Sequence, residues 1–268
     1  MTSPNEPTRA TVVRQLADLG VQPGSVLLAH TSFRNIGPLE GGPDTLIDAL
    51  VEALGPDGTL VMPSWTDEQD EPFDPESTTT RPHLGVVSET FWQRPEVLRG
   101  SHPEAVAAIG PQAVHITSAP LVLPPHAQDS GVARVHELDG WVLLLGVDHD
   151  ANTTVHVAEI LADVPYWQPN YVTVLREGTV IRVHYGENDH CCLGFNQVGG
   201  WLRERGLQRE GTVGNGRAML VRARDVVATV VEELRDDPCR LLHPEGSDCD
   251  ECEEAWVSVT GRQRIVLD

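Results

Sequence analysis

Three short apolar runs alternating with segments of helical period constrain this chain's fold more than any other feature. Residues 25–30, 59–62 and 141–147 are apolar runs of strand length. Residues 45–54 place Leu46, Ile47, Leu50, Val51 and Leu54 at helical spacing behind Gly41, Gly42 and Pro43. Residues 7–19 carry Val12, Val13, Leu16 and Leu19 at the same period and stop at Gly20. Strand, helix, strand, repeated as 141–147 followed by a helix over 153–162, is the pattern of an α/β protein. The expectation is a central mixed sheet covered by helices on both faces, one compact domain over residues 1–268. A further helix is predicted over 225–234, and the Pro-, Gly- and acid-rich stretch 236–254 reads as the start of a C-terminal appendage wrapping the surface (236–268).

Charge and cysteine content narrow the function. Asp plus Glu number 40 against 19 Lys plus Arg, a formal net charge of −21, which argues against a nucleic-acid or anionic-membrane partner and for cationic or neutral ones. No apolar run approaches the roughly 20 residues that span a bilayer. The first twenty residues lack the basic start and apolar stretch of a secretory signal, so a cytoplasmic location is expected. Five cysteines, an odd number with Cys191 and Cys192 adjacent, do not form an extracellular disulfide framework.

The junction after residue 147 holds the chemistry-bearing residues. On the 153–162 helix, His156, Glu159 and Asp163 fall on one face at i, i+3 and i+7. A carboxylate beside an imidazole fixes its tautomer and favours its protonated form, as a general base requires; the same spacing also suits a solvated face with an ion pair. Thr153 and Thr154, at the helix start, are candidates for holding a developing oxyanion. Residues 65–83 form a long aperiodic stretch in which Asp67, Glu68, Asp70, Glu71, Asp74 and Glu76 follow Trp65. Such a loop suits a polycationic, sugar-like substrate and equally a solvated surface. His102 sits before Pro103 in a constrained turn that either aims a side chain at a ligand or only stabilises itself. Cys239-x3-His243-x5-Cys249-x2-Cys252 holds four metal-ligand residue types at a spacing foreign to standard fingers, open between a structural zinc site and unligated thiols; no cysteine is assigned a catalytic role.

Leu28-Ala-His-Thr-Ser-Phe-Arg-Asn-Ile-Gly-Pro-Leu-Glu-Gly-Gly42 resembles the opening block of the aminoglycoside 3-N-acetyltransferase family. Gly58-Thr-Leu-Val-Met-Pro63, Phe73-Asp-Pro75, Ser101-His-Pro103, Leu143-Leu-Leu-Gly146, Thr153-Thr-Val-His-Val-Ala-Glu159 and Gly211-Thr-Val-Gly214 resemble its later blocks in order, over residues 8–235. The resemblance implies transfer of acetyl from acetyl-coenzyme A to the 3-amino group of a 2-deoxystreptamine antibiotic, conferring resistance, with no metal in the chemistry. Carried over by motif, His156 would be the general base, held by Glu159 or a neighbouring carboxylate. Thr31, Ser32, Phe33, Arg34, Gly37, Gly42, Ser101, His102 and Thr153 would lie against coenzyme A. Trp65, Asp67, Asp163 and Asp189 would face the aminoglycoside. A homodimer is left open. The alternatives are an acetyltransferase for another amine, a non-catalytic zinc-stapled binding protein, or a thioester hydrolase using Ser32 or Ser101 with His156, although no Gly-x-Ser-x-Gly elbow is present.

Overall fold

The computed structural model describes residues 6–118 and 121–261. The expected parallel strands are β1 (Val26–Thr31), β2 (Thr59–Pro63) and β5 (Trp141–Leu145), with β1 in the middle: Leu28 pairs with Val61 on one side and Val142 on the other. Antiparallel strands extend both edges. β3 (Leu98–Arg99) and β4 (Val106–Ile109) add beyond β2, while β9 (Gly216–Arg222) and β8 (Arg209–Val213) add beyond β5. The result is a seven-stranded mixed sheet in the order β3-β4-β2-β1-β5-β9-β8.

Alternation along each strand sorts side chains to two faces, and each face is buried. Leu27, Ala29, Leu60, Met62, Leu143, Leu145 and Leu220 pack with α1 (Arg9–Leu19), α3 (Gly42–Leu54) and α4 (Gly85–Trp92). Leu28, Val61, Val142, Leu144 and Val221 pack on the other side. There they meet α5 (Ala113–Thr117), α6 (Gly131–Glu137), α7 (Thr154–Ala162), α8 (Asn196–Glu204) and α9 (Ala223–Asp236). Local signals set the helix ends: the Thr8 hydroxyl accepts from the Thr11 N–H, and Gly20 closes α1 at φ 104°. The remaining helix, α2 (Phe33–Ile36), is a single turn directly after β1.

Two regions depart from the sequence reading. β6 (Gln168–Arg176) and β7 (Thr179–Glu187) form a separate hairpin, turned by Glu177 and Gly178 at positive φ, as a two-residue turn requires. The C-terminal segment does more than wrap the surface. It contains α10 (Asp250–Thr260), whose Cys252 and Ala255 are fully buried in the core alongside Leu241. Residues 262–268 of the expected appendage lie outside the described residues.

Three connections leave the C-terminal ends of the parallel strands together: 32–36 after β1, 64–69 after β2 and 146–153 after β5. Open α/β sheets bind ligands at such an edge, where the chain direction of successive connections diverges. Gly146 lets these connections touch: at φ 67°, a Cβ there would lie 2.9 Å from the Ser32 carbonyl oxygen. The Asn35 amide then donates to the Gly146 carbonyl at 2.7 Å. Leu144→Ala, at a fully buried site in the middle of the sheet, is expected to cost about 2–5 kcal/mol of stability, read from the urea midpoint.

Candidate active site

A cavity of about 590 Å³ opens at this edge, lined among others by Trp65, Asp67, Arg81, Glu104, Thr153, His156, Asn170, Glu187, Asp189 and Cys192. It continues into a more open groove of about 860 Å³ lined by Ser32, Phe33, Arg34, Asn35, Asp148 and Arg217. Thr31, His83, Val147, Asp150 and Ala151 border both.

His156 sits at the inner wall because α7 is aimed there by a polar bracket. Asn152 accepts the Thr154 N–H at 3.1 Å on its side-chain oxygen and donates its amide to His149 Nδ1 at 3.2 Å; His149 Nε2 then donates to Gln208 at 2.8 Å. From the first turn of α7, His156 Nδ1 reaches Glu159 Oε2 at 2.8 Å, the i, i+3 contact expected from the sequence. The ring stacks on His126 and meets the edge of Phe195, both at centroid distances of 4.9 Å. Its Nε2 faces the Cys192 sulfur at 3.8 Å.

Glu159 has no exposed surface. Its second oxygen accepts from His190 Nε2 at 2.7 Å and from the Tyr166 hydroxyl. His190 Nδ1 is 3.1 Å from the Cys191 carbonyl oxygen, and the Cys252 thiol is a further partner of the ring. Burial opposes a charge on this ring, but the Glu159 carboxylate outweighs it and holds His190 up at about 10. Burial likewise opposes ionised Glu159, yet the two imidazoles draw it down to about 2. For His156, burial again works against the proton, and the contacts to Cys192 and Glu159 overcome it, raising its proton affinity well above the usual imidazole range. His30 and His126 lack such a partner; burial drives His30 down to about 3 and His126 well below its ordinary value.

The opposite wall is acidic. Glu104 is pushed up to about 8, first by burial and then by the Glu187 carboxylate, against the pull of Arg81. Glu187 is raised too, mainly by burial, although Asn170 donates to it at 2.6 Å.

Of the residues named from sequence, His156, Thr153, Trp65, Asp67 and Asp189 line the cavity, with Thr31 at the junction and Ser32, Phe33 and Arg34 along the groove. Glu159 stands directly behind His156 rather than on the wall. The other residues named from sequence stand away from the two spaces. Asp163 is the exposed left-handed C-cap of α7 (φ 53°) and borders neither space, because the helix carries it a full turn beyond Glu159. Ser101 and His102 line a separate recess of about 20 Å³, where His102 Nδ1 accepts the Glu104 N–H at 2.8 Å as a turn-stabilising group. Gly37 closes α2 against Asn215, and Gly42 begins α3; neither borders the groove. Thr154 is fully buried behind the wall. Neither Ser32 nor Ser101 bonds His156, which leaves the hydrolase triad without its nucleophile contact. The acidic run after Trp65 is divided: Asp70 pairs with Arg182 at 2.5 Å and accepts from Tyr171, Asp74 fixes its own turn, and Asp67, 3.0 Å from Arg81, faces the cavity.

Comparison with known proteins gives this geometry a family. The model of the aminoglycoside 3-N-acetyltransferase family matches residues 28–235. The chain belongs to that family. The aminoglycoside N(3)-acetyltransferase IV of Salmonella sp is 58% identical over 236 residues, covering 88% of this chain and 90% of the relative. The aminoglycoside N(3)-acetyltransferase VII of Streptomyces paromomycinus is 33% identical, covering 89% and 95%. Among solved structures, the apoenzyme of aminoglycoside acetyltransferase AAC(3)-IVa superposes with a TM-score of 0.93 at 55% identity, covering 96% of this chain and all of that one. A histidine-to-alanine mutant of AAC(3)-IVa in complex with a gentamicin gives 0.94 at the same identity and coverage.

Glu104, on the acidic wall, offers a pH test. A carboxyl raised on folding makes the native state bind more protons than the unfolded one, so stability falls as pH climbs from about 4.5 to about 8. Glu104→Gln, which mimics the protonated acid, is expected to flatten that decline. Thermal midpoints taken from pH 5 to pH 9 check it, an unchanged slope contradicting the assignment.

Proposed function

We propose that the protein acetylates the 3-amino group of 2-deoxystreptamine aminoglycosides with acetyl-coenzyme A as acetyl donor, and that His156 is the general base. The observation that carries the reading is the His156 ring itself, fixed through Nδ1 on a fully buried carboxylate while the rest of the ring borders a cavity that joins an open groove.

Each space suits one substrate. The groove offers Arg34, which is exposed and has no carboxylate partner among the described residues, a cation suited to coenzyme phosphates in an otherwise acidic protein. The cavity offers Asp67, Glu104, Glu187 and Asp189 to a polyamine. AAC(3)-IVa has been captured with a gentamicin and with apramycin, both of this antibiotic class. The thioester then lies at the junction, beside Thr31, whose buried hydroxyl has no hydrogen-bond partner among the described residues and is available to an oxyanion. His156, in its unprotonated form, takes the proton as the amine nitrogen attacks the thioester carbonyl and returns it to the departing sulfur. The tetrahedral intermediate collapses with the carbon–sulfur bond breaking, and the coenzyme leaves as its thiol. Cytoplasmic action follows from the use of acetyl-coenzyme A, and acetylation removes one charge from the drug, the basis of resistance.

Cys192 brings a second route into view, because its sulfur lies on the open side of the His156 ring. In that route the thiol accepts the acetyl group first and the amine takes it from an acetyl-cysteine. At 3.8 Å the thiol is a loose partner, and direct transfer is the reading adopted.

His156→Ala is expected to fold normally and to lose on the order of 10²- to 10⁴-fold in kcat. The readout is thiol release with gentamicin, kanamycin, neomycin or apramycin as acceptor, followed by mapping of the acetylated nitrogen. Cys192→Ala should keep turnover within a few-fold. Full activity in the first variant, or a collapse in the second, contradicts direct transfer through His156.

A further inference from the structure

The fold gathers cysteines and a histidine from two distant segments into one cluster outside the cavity. Cys191 follows β7, whereas His243 and Cys249 lie between α9 and α10. The two sulfurs and one imidazole nitrogen of these residues all lie within 4.8 Å of one another. Cys252, in the first turn of α10, completes the group: its sulfur accepts the His243 backbone N–H at 3.4 Å and contacts the Cys249 thiol and the Cys191 backbone. Cys239 does not join the cluster. The sequence spacing that made it a fourth ligand cannot anticipate that β7 delivers Cys191 to the same place.

We propose that Cys191, His243, Cys249 and Cys252 bind a structural zinc ion. Three thiols and one imidazole are soft and borderline donors that select zinc over calcium or magnesium, and four protein ligands make a closed site with no position for substrate. Tetrahedral bonds of about 2.3 Å to sulfur and about 2.1 Å to nitrogen bring ligand atoms to about 3.5–3.8 Å apart, a contraction of roughly one ångström from the present spread of Cys191, His243 and Cys249, with Cys252 drawn in beside them. The backbone N–H donated to the Cys252 sulfur is the kind of outer contact that orients a thiolate ligand.

The site also explains how an acid-rich segment stays in place. α10 has Asp250, Glu251 and Glu253 in its first turn, fully buries only Cys252 and Ala255, and packs Trp256 and Val259 partly against the core. A metal bridging it to Cys191 would fasten it and fix the neighbouring His190 and Cys192, which touch Glu159 and His156. Zinc here positions those residues and takes no part in acetyl transfer.

The test uses the full chain, expressed with added zinc and exchanged into metal-free reducing buffer. Elemental analysis is expected to find one zinc per chain, and a thiol reagent should reach two free cysteines in the native protein and all five after a strong chelator. Chelation should lower the thermal midpoint. Cys191→Ala and Cys249→Ala are expected to lose the metal while Cys239→Ala keeps it. Because the first two variants can lose structure, cobalt(II) is titrated into chelator-stripped wild-type protein. An intense visible spectrum of tetrahedral thiolate coordination, displaced by zinc, supports the site. A weak octahedral spectrum, substoichiometric zinc in the wild type, zinc retained by both ligand variants, or a Cys191–Cys249 disulfide in place of metal overturns it.

Discussion

One carboxylate with no exposed surface, Glu159, organises the site. Burying an ionised carboxylate costs several kcal/mol unless donors surround it. Here His156, His190 and Tyr166 supply three hydrogen bonds. Each comes from a different stretch of chain: α7, the link into β6, and the segment after β7. The carboxylate can therefore stay ionised only when those pieces are assembled, and removing any one leaves a buried charge short of a partner. The Glu159 carboxylate, held by these donors, orients His156 through Nδ1 and raises its proton affinity.

The sheet explains why this pair sits at the junction of the cavity and the groove. β1, β2 and β5 run parallel, and their C-terminal ends release the groove connection, the Trp65 loop and the bracket that aims α7. Antiparallel strands added at both edges widen the platform without disturbing that edge. The hairpin β6–β7 stands apart from the sheet and brings Asn170 and Glu187 across the cavity to join Glu104, which precedes β4 of the sheet.

Legibility from sequence follows the length over which a physical signal persists. The strands 25–30, 59–62 and 141–147 are legible because strands covered on both faces must be apolar throughout, and the His156–Glu159 pair because three residues of helix fix its geometry. Asp163 obeys the same period and still misses the site, since i+7 reaches the helix end, where Asp163 turns left-handed as the cap. His190, Glu104 and Cys192 escape a sequence reading because each meets its partners only through tertiary contacts; the adjacency of His190 to two cysteines is the sole local hint. Ser101 and His102 lie in a matching motif block, yet β4 folds that turn toward a different recess. The 168–187 hairpin alternates polar and apolar residues around Glu177-Gly178, a signal present but weak beside the stronger runs.

The most direct test of the central claim changes the carboxylate and leaves the base in place. In Glu159→Gln, His156 keeps its position but loses the anion that orients it and raises its proton affinity. Steady-state kinetics with acetyl-coenzyme A and gentamicin should show kcat reduced by about 10²-fold or more, with the aminoglycoside KM within a few-fold of wild type and the protein still folded. Wild-type kcat with an unaltered pH profile would contradict the account, since the imidazole would then be working without the charge said to hold it.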